Sequence, residues 1–171
     1  MEETTDIFGI PVPSTDRVFL TFVVIHILVS LVAVIAGLLA MLSDKVKKRH
    51  PFFGRIYFWS MVSAFATIVI LSIMRWSPNV HLFIIGTLAI ICTYFGYRFA
   101  KNRRNQWTRL HTISMGLSYI LLLTGFYVDN GKNLPFWNQF SPVVFYVFPS
   151  AVGIPIILYV LFRHPLNKRR V

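Results

Sequence analysis

The sequence predicts an all-α integral membrane protein, a single-domain bundle of about five transmembrane helices. Three observations carry this. First, 56% of the 171 residues are hydrophobic and only 13% are charged, against roughly 25% charged residues in a soluble domain. One core cannot bury so much apolar surface, so lipid has to cover the rest. Second, five apolar runs contain no Lys, Arg, Asp or Glu. Third, most of the 17 basic residues, which bring the formal charge to +11, fall in three short clusters between or after those runs. A nucleic-acid-binding protein spreads such charge over a soluble surface, so nucleic acid is excluded as a partner.

The first run extends from Val18 to Leu42. It follows Glu2, Glu3 and Asp6 rather than a basic stretch, and it is longer than a signal-peptide core, so it reads as a retained span. The second runs from Ile56 to Met74 and the third from Val80 to Tyr97, with Ser77-Pro78-Asn79 between them read as a tight turn. The fourth covers Leu110 to Val128. An outer loop from Asp129 to Pro142 follows and opens on the turn signal Asp129-Asn130-Gly131. The fifth run, Val143 to Phe162, holds Pro149, Gly153 and Pro155 and is expected to kink. Each run is long enough to cross roughly 30 Å of hydrocarbon at about 1.5 Å per residue. Helices are the form expected, because lipid offers no partner to open backbone groups. Short connections predict antiparallel neighbours. Residues 1–16, with Pro11 and Pro13, form an outer N-terminal segment expected to join the outer loop in a small cap, and residues 163–171 form a basic cytoplasmic tail.

The charge pattern orients the bundle. Lys45, Lys47, Lys48, Arg49 and Arg55 cluster before the second run, Arg98, Lys101, Arg103, Arg104 and Arg109 before the fourth, and Arg163, Lys168, Arg169 and Arg170 after the fifth. Only Arg17, Arg75 and Lys132 lie on the other side, so the positive-inside rule puts the N-terminus outside and the C-terminus in the cytoplasm. Trp76 and Trp137 at outer ends, and Trp59 and Trp107 at inner ends, suit the headgroup layers. Cys92 is the only cysteine, which rules out an internal disulfide or a thiolate zinc site.

The residues with chemical potential are the histidines. His26 lies about nine residues into the first run, where each ring nitrogen needs a partner. His50 and His111 stand at similar depth near the basic side, as an axial pair for haem b would, and His81 lies near the outer side. His26 and His81 make a poorer pair because their depths differ. His164, beside Pro165 in the basic tail, reads as interfacial. Arg49, Arg55 and Arg109 are candidates to hold an anion or a lipid headgroup. His111, Ser114 and Ser118 share a helix face, as do Ser60, Ser63 and Thr67, spacings that more often cement helices than line a pathway. Arg75 and Asp129 are expected to meet at the outer side. No Ser-His-Asp order, HExxH, P-loop or carboxylate pair is present, so no catalytic residue is assigned and the reading leans away from an enzyme.

His26, the segment His50-Pro51-Phe52-Phe53-Gly54-Arg55-Ile56-Tyr57 and Trp107-Thr108-Arg109 together resemble the uncharacterised bacterial membrane-protein family called domain of unknown function 2306. The segment looks like the family's HRxxGRxY, with Pro51 in place of the usual arginine. The resemblance implies a multi-pass protein of the bacterial cytoplasmic (inner) membrane and supplies no activity. The chain is more loosely similar to small cytochromes of the b561 kind, which place histidines near both faces. The leading functional expectation is a non-catalytic accessory subunit that packs against a larger membrane complex and contacts lipid or pigment. The alternatives are a b-type haem electron-transfer protein, with His50 and His111 as its ligands, and a small transporter or sensor with a site near His26.

Overall fold

A computed structural model describes residues 5–7, 10–12, 14–43, 48–103 and 106–163. Lys45, Lys47, Arg104, His164 and the tail residues Lys168, Arg169 and Arg170 lie outside the described residues. Five helices make up the bundle: α1 (Arg17–Leu42), α2 (Arg49–Met74), α3 (Trp76–Asn102), α4 (Trp107–Asn130) and α5 (Pro142–Arg163). Five helical segments are long and apolar enough to cross a membrane, as the sequence predicts. A short antiparallel hairpin precedes them, β1 (Thr5–Ile7) with β2 (Ile10–Val12), in register Thr5 to Val12. It is closed by Thr5 Oγ1 donating to the Ser14 carbonyl at 2.7 Å.

Several helix boundaries differ from the expected ones. α2 begins at Arg49 rather than Ile56 and takes in His50 and Pro51. Proline is tolerated in a first turn, where its missing N–H has no intrahelical partner to lose. The same argument explains why Ser77-Pro78-Asn79 forms the first turn of α3 rather than a loop. α2 and α3 are separated by Arg75 alone, whose φ of −143° breaks the helix. Asn79 then caps α2 from outside, its Nδ2 donating to the carbonyls of Leu71 at 3.1 Å and Arg75 at 2.9 Å. Both carbonyls lie at the junction of the two helices, and that of Leu71 also accepts the Arg75 N–H at 2.9 Å. Likewise α4 continues through Asp129-Asn130, and Gly131–Asn133 winds into a 3-10 turn rather than reversing the chain.

α1 packs along α2, α2 along α3 and α3 along α4, while α1 also touches α4 and α5 lies outside against α4. The core of the bundle combines Ala33 and Ala36 of α1, Tyr57 and Met61 of α2, and Ala89 of α3. Small residues let the backbones approach closely, which is how helices associate where lipid removes the usual hydrophobic drive. The α4–α5 contact is reciprocal. Ile157 of α5 fills the notch at Gly116, and Ile120 of α4 fills the notch at Gly153. Large apolar side chains remain exposed along every helix, among them Leu31, Ile84, Val147 and Ile156. That surface suits lipid contact.

Candidate functional site

The two helical hairpins α1–α2 and α3–α4 present the same device at the basic end of the bundle. Each places a histidine within the first five residues of its second helix and ties that ring to a main-chain carbonyl of its first helix. His50 Nδ1 lies 2.8 Å from the Ala40 carbonyl, and His111 Nδ1 lies 2.8 Å from the Gly96 carbonyl. A carbonyl only accepts, so both Nδ1 atoms carry the proton and Nε2 bears the lone pair in each neutral ring. The two carbonyls become reachable for different reasons. Ala40 is in the last turn of α1, where carbonyls lack intrahelical partners. At Gly96 the helices close up because there is no side chain, since a Cβ would meet Met115 Sδ at 2.5 Å and the Met115 backbone nitrogen at 3.3 Å.

The result is a pair of neighbouring imidazoles set edge to face. The ring centroids of His50 and His111 are 6.0 Å apart, with an interplanar angle of 82°. Above them α2 and α4 are joined again through Tyr57, which is 2% exposed and donates its hydroxyl to Ser118 Oγ at 2.8 Å. Ser118 in turn donates to the Met115 carbonyl at 2.8 Å. His50 and Tyr57 are seven residues apart on α2, and His111 and Ser118 are seven apart on α4. Equal spacing on two helices that run the same way puts both pairs on the facing sides.

Between His50 and Tyr57 stands Gly54, on the same face by the i, i+4, i+7 rule. A Cβ there would meet nothing within 4 Å, whereas Gly37, Gly96, Gly116, Gly131 and Gly153 are all crowded by a neighbouring side chain. A mid-helix glycine costs roughly 0.5–1 kcal/mol relative to alanine, so close helix packing does not account for this one. The open space lies one turn from His50, on the face that Tyr57 presents to α4.

The other candidates are held differently. His26 of α1 gives Nδ1–H to Thr67 Oγ1 at 2.8 Å, because the Thr67 hydroxyl is itself donated to the Ala64 carbonyl at 2.8 Å. Its Nε2 meets Ser30 Oγ at 3.5 Å. His81 of α3 lies near Asp129 at the opposite end, and Lys132 joins it in acting on that carboxylate. Arg75 stacks over the Phe19 ring at 5.4 Å. Lys48, Arg49 and Arg55 rim an open groove between the end of α1 and the start of α2, whereas Arg109 lies on α4 outside that groove. Gly54 and Tyr57, which the sequence offers only as parts of the family-like signature, join His50 on one face of α2. Their signal was the spacing from His50, hidden while the helix was started at Ile56.

A family model described as "Predicted membrane protein (DUF2306)" matches residues 23–152, a stretch that includes His26, His50, Gly54, Tyr57, His81 and His111. Neither the curated proteins nor the solved structures contain a match.

Proposed function

The chain belongs to the DUF2306 family of predicted membrane proteins, and on that premise we propose that it is a b-type haem electron-transfer protein of the bacterial cytoplasmic membrane, with its basic end toward the cytoplasm. The observation that carries the reading is the neighbouring His50–His111 pair, with centroids 6.0 Å apart. Imidazoles bound on opposite sides of one metal ion, with metal–nitrogen bonds of about 2 Å and each centroid about 1 Å further back, have centroids about 6 Å apart. Tetrahedral placement would bring them to about 5 Å. No cluster of three or more His, Cys, Asp or Glu suited to a metal exists among the described residues. Two protein ligands suit a metal that brings its remaining ligands in a macrocycle.

The chain's own residues fit such a group in three ways. The Nδ1–H bonds to Ala40 and Gly96 fix both ring orientations and keep Nε2, the ligating nitrogen, basic. Gly54 brings no side chain to the face of α2 beside the pair, and a Cβ there would meet nothing within 4 Å. Tyr57 and Ser118 tie α2 to α4 on the inner side of the pair. Haem b held there would supply reversible one-electron transfer. An accessory subunit, suggested by the small mass outside the apolar runs, explains none of these features. A site around His26 is disfavoured by the hydroxyls that already hold both ring nitrogens.

The test is the visible spectrum of the full chain, purified gently or reconstituted with haem b, before and after dithionite. The expected result is a Soret band that shifts on reduction and is absent from His50→Ala and His111→Ala. A protein that stays colourless with haem supplied, or a band that survives both substitutions, would sink the proposal.

A further inference from the structure

The first two turns of α2 have a second face. Lys48, Phe52 and Arg55 recur at the i, i+4 and i+7 spacing, about half a turn around the helix from His50, Gly54 and Tyr57. With Arg49, Phe53 and the end of α1 they line an open groove. Its floor is apolar and uncovered, with Leu42 76% and Phe52 53% exposed, and three cations stand on its rim. It lies at the ends of two membrane-crossing helices, at the level where acyl chain gives way to headgroup.

We propose that this groove binds one anionic phospholipid. The headgroup phosphate pairs with Lys48, Arg49 and Arg55, and an acyl chain lies over Leu39, Leu42, Phe52 and Phe53. Charge complementarity selects the occupant. A zwitterionic lipid leaves three cations without net neutralisation, and a free anion leaves the apolar floor uncovered. Each basic residue near an anionic surface is worth about a fivefold change in binding. The equivalent groove of the second hairpin provides an internal control. It is lined by Phe95, Phe99, Trp107 and Leu110, with Arg98 the cation among its described lining residues and Arg103 held over the Trp107 ring at 5.5 Å. The inference is independent of haem, because Lys48, Phe52 and Arg55 lie about half a turn of α2 from His50 and the readout is bound lipid rather than a spectrum.

The experiment uses the full chain in mixed phosphatidylcholine–phosphatidylglycerol bilayer discs, with bound lipid counted by native mass spectrometry after release. The expected result is one phosphatidylglycerol retained by the wild type. Retention should fall about fivefold for each charge removed in Lys48→Gln, Arg49→Gln and Arg55→Gln, and remain unchanged in Arg98→Gln. Equal retention by the triple variant and the wild type overturns the proposal, as does equal loss from Arg98→Gln. A second measurement needs no variant. Phosphatidylglycerol added to phosphatidylcholine discs should raise the melting temperature while inorganic phosphate does not. No rise, or an equal rise with phosphate, overturns the lipid assignment.

Discussion

At the basic end, His50 and His111 each spend one ring nitrogen on a main-chain carbonyl and stand edge to face. In the opposite half, His26 has both nitrogens engaged by the hydroxyls of Thr67 and Ser30, and His81 faces Asp129. The residue type is the same and the exposure similar, yet the two arrangements differ in the kind of partner that holds them. A carbonyl partner takes the proton-bearing nitrogen and settles the tautomer. Hydroxyl partners satisfy a buried imidazole completely and cement two helices. A histidine inside a membrane bundle is therefore better read from its partner than from its depth.

The largest expected effect divides the two halves. His50→Ala or His111→Ala should abolish the Soret band, and His26→Ala should leave it in place, measured on equal amounts of purified protein. A band lost with His26 and kept without His111 would reverse the comparison.

The next contrast sets two glycines of the same end against each other. Gly54→Leu fills the open space and should lower haem retention more than tenfold without lowering the melting temperature of the haem-free chain. Gly96→Leu should instead destabilise the fold by about 1–3 kcal/mol or more, because Met115 cannot move out of reach of both the side chain and its own backbone. If Gly54→Leu also unfolds the protein, the space beside it is not a cavity built for a ligand.

Smaller still is the effect of Gly54→Ala on the haem-free chain, which should be stabilising by roughly 0.5–1 kcal/mol, read from thermal or denaturant unfolding in detergent. Thr67→Val, which removes the acceptor for His26, should cost about 0.6 kcal/mol and at most about 1.7, the range of interhelical hydrogen bonds in membranes, with no change in spectrum. A spectral change on Thr67→Val would tie the two halves together.

Much of the site was legible in the residues. His50 and His111 were paired from their depth alone, and the structure brings their rings together. Arg49 and Arg55 were grouped as anion-binding candidates and do share a groove, while Arg109 stands apart on α4. Gly54 stands in the sequence as part of the family-like signature, but the helix face it shares with His50 and Tyr57 is not legible there for a physical reason. Proline and charge in 49–55 suppress the apolar signal that marks a membrane helix, so the segment read as loop, and the periodicity that joins His50, Gly54 and Tyr57 had no helix to act on.

By itself the sequence determined the number of spans, their helical form and the separation of a basic end from an apolar middle. These follow from transfer of side chains and backbone between water and lipid, an energy that sums locally along the chain. Only the tertiary structure decided which histidines come together, which carbonyls hold them and which glycine stands beside open space. Those outcomes depend on how closely two helices approach. That distance is decided jointly by residues far apart in sequence, Gly96 against Met115 and Gly37 against Tyr119 and Tyr57, and no window along the chain contains both partners of either contact.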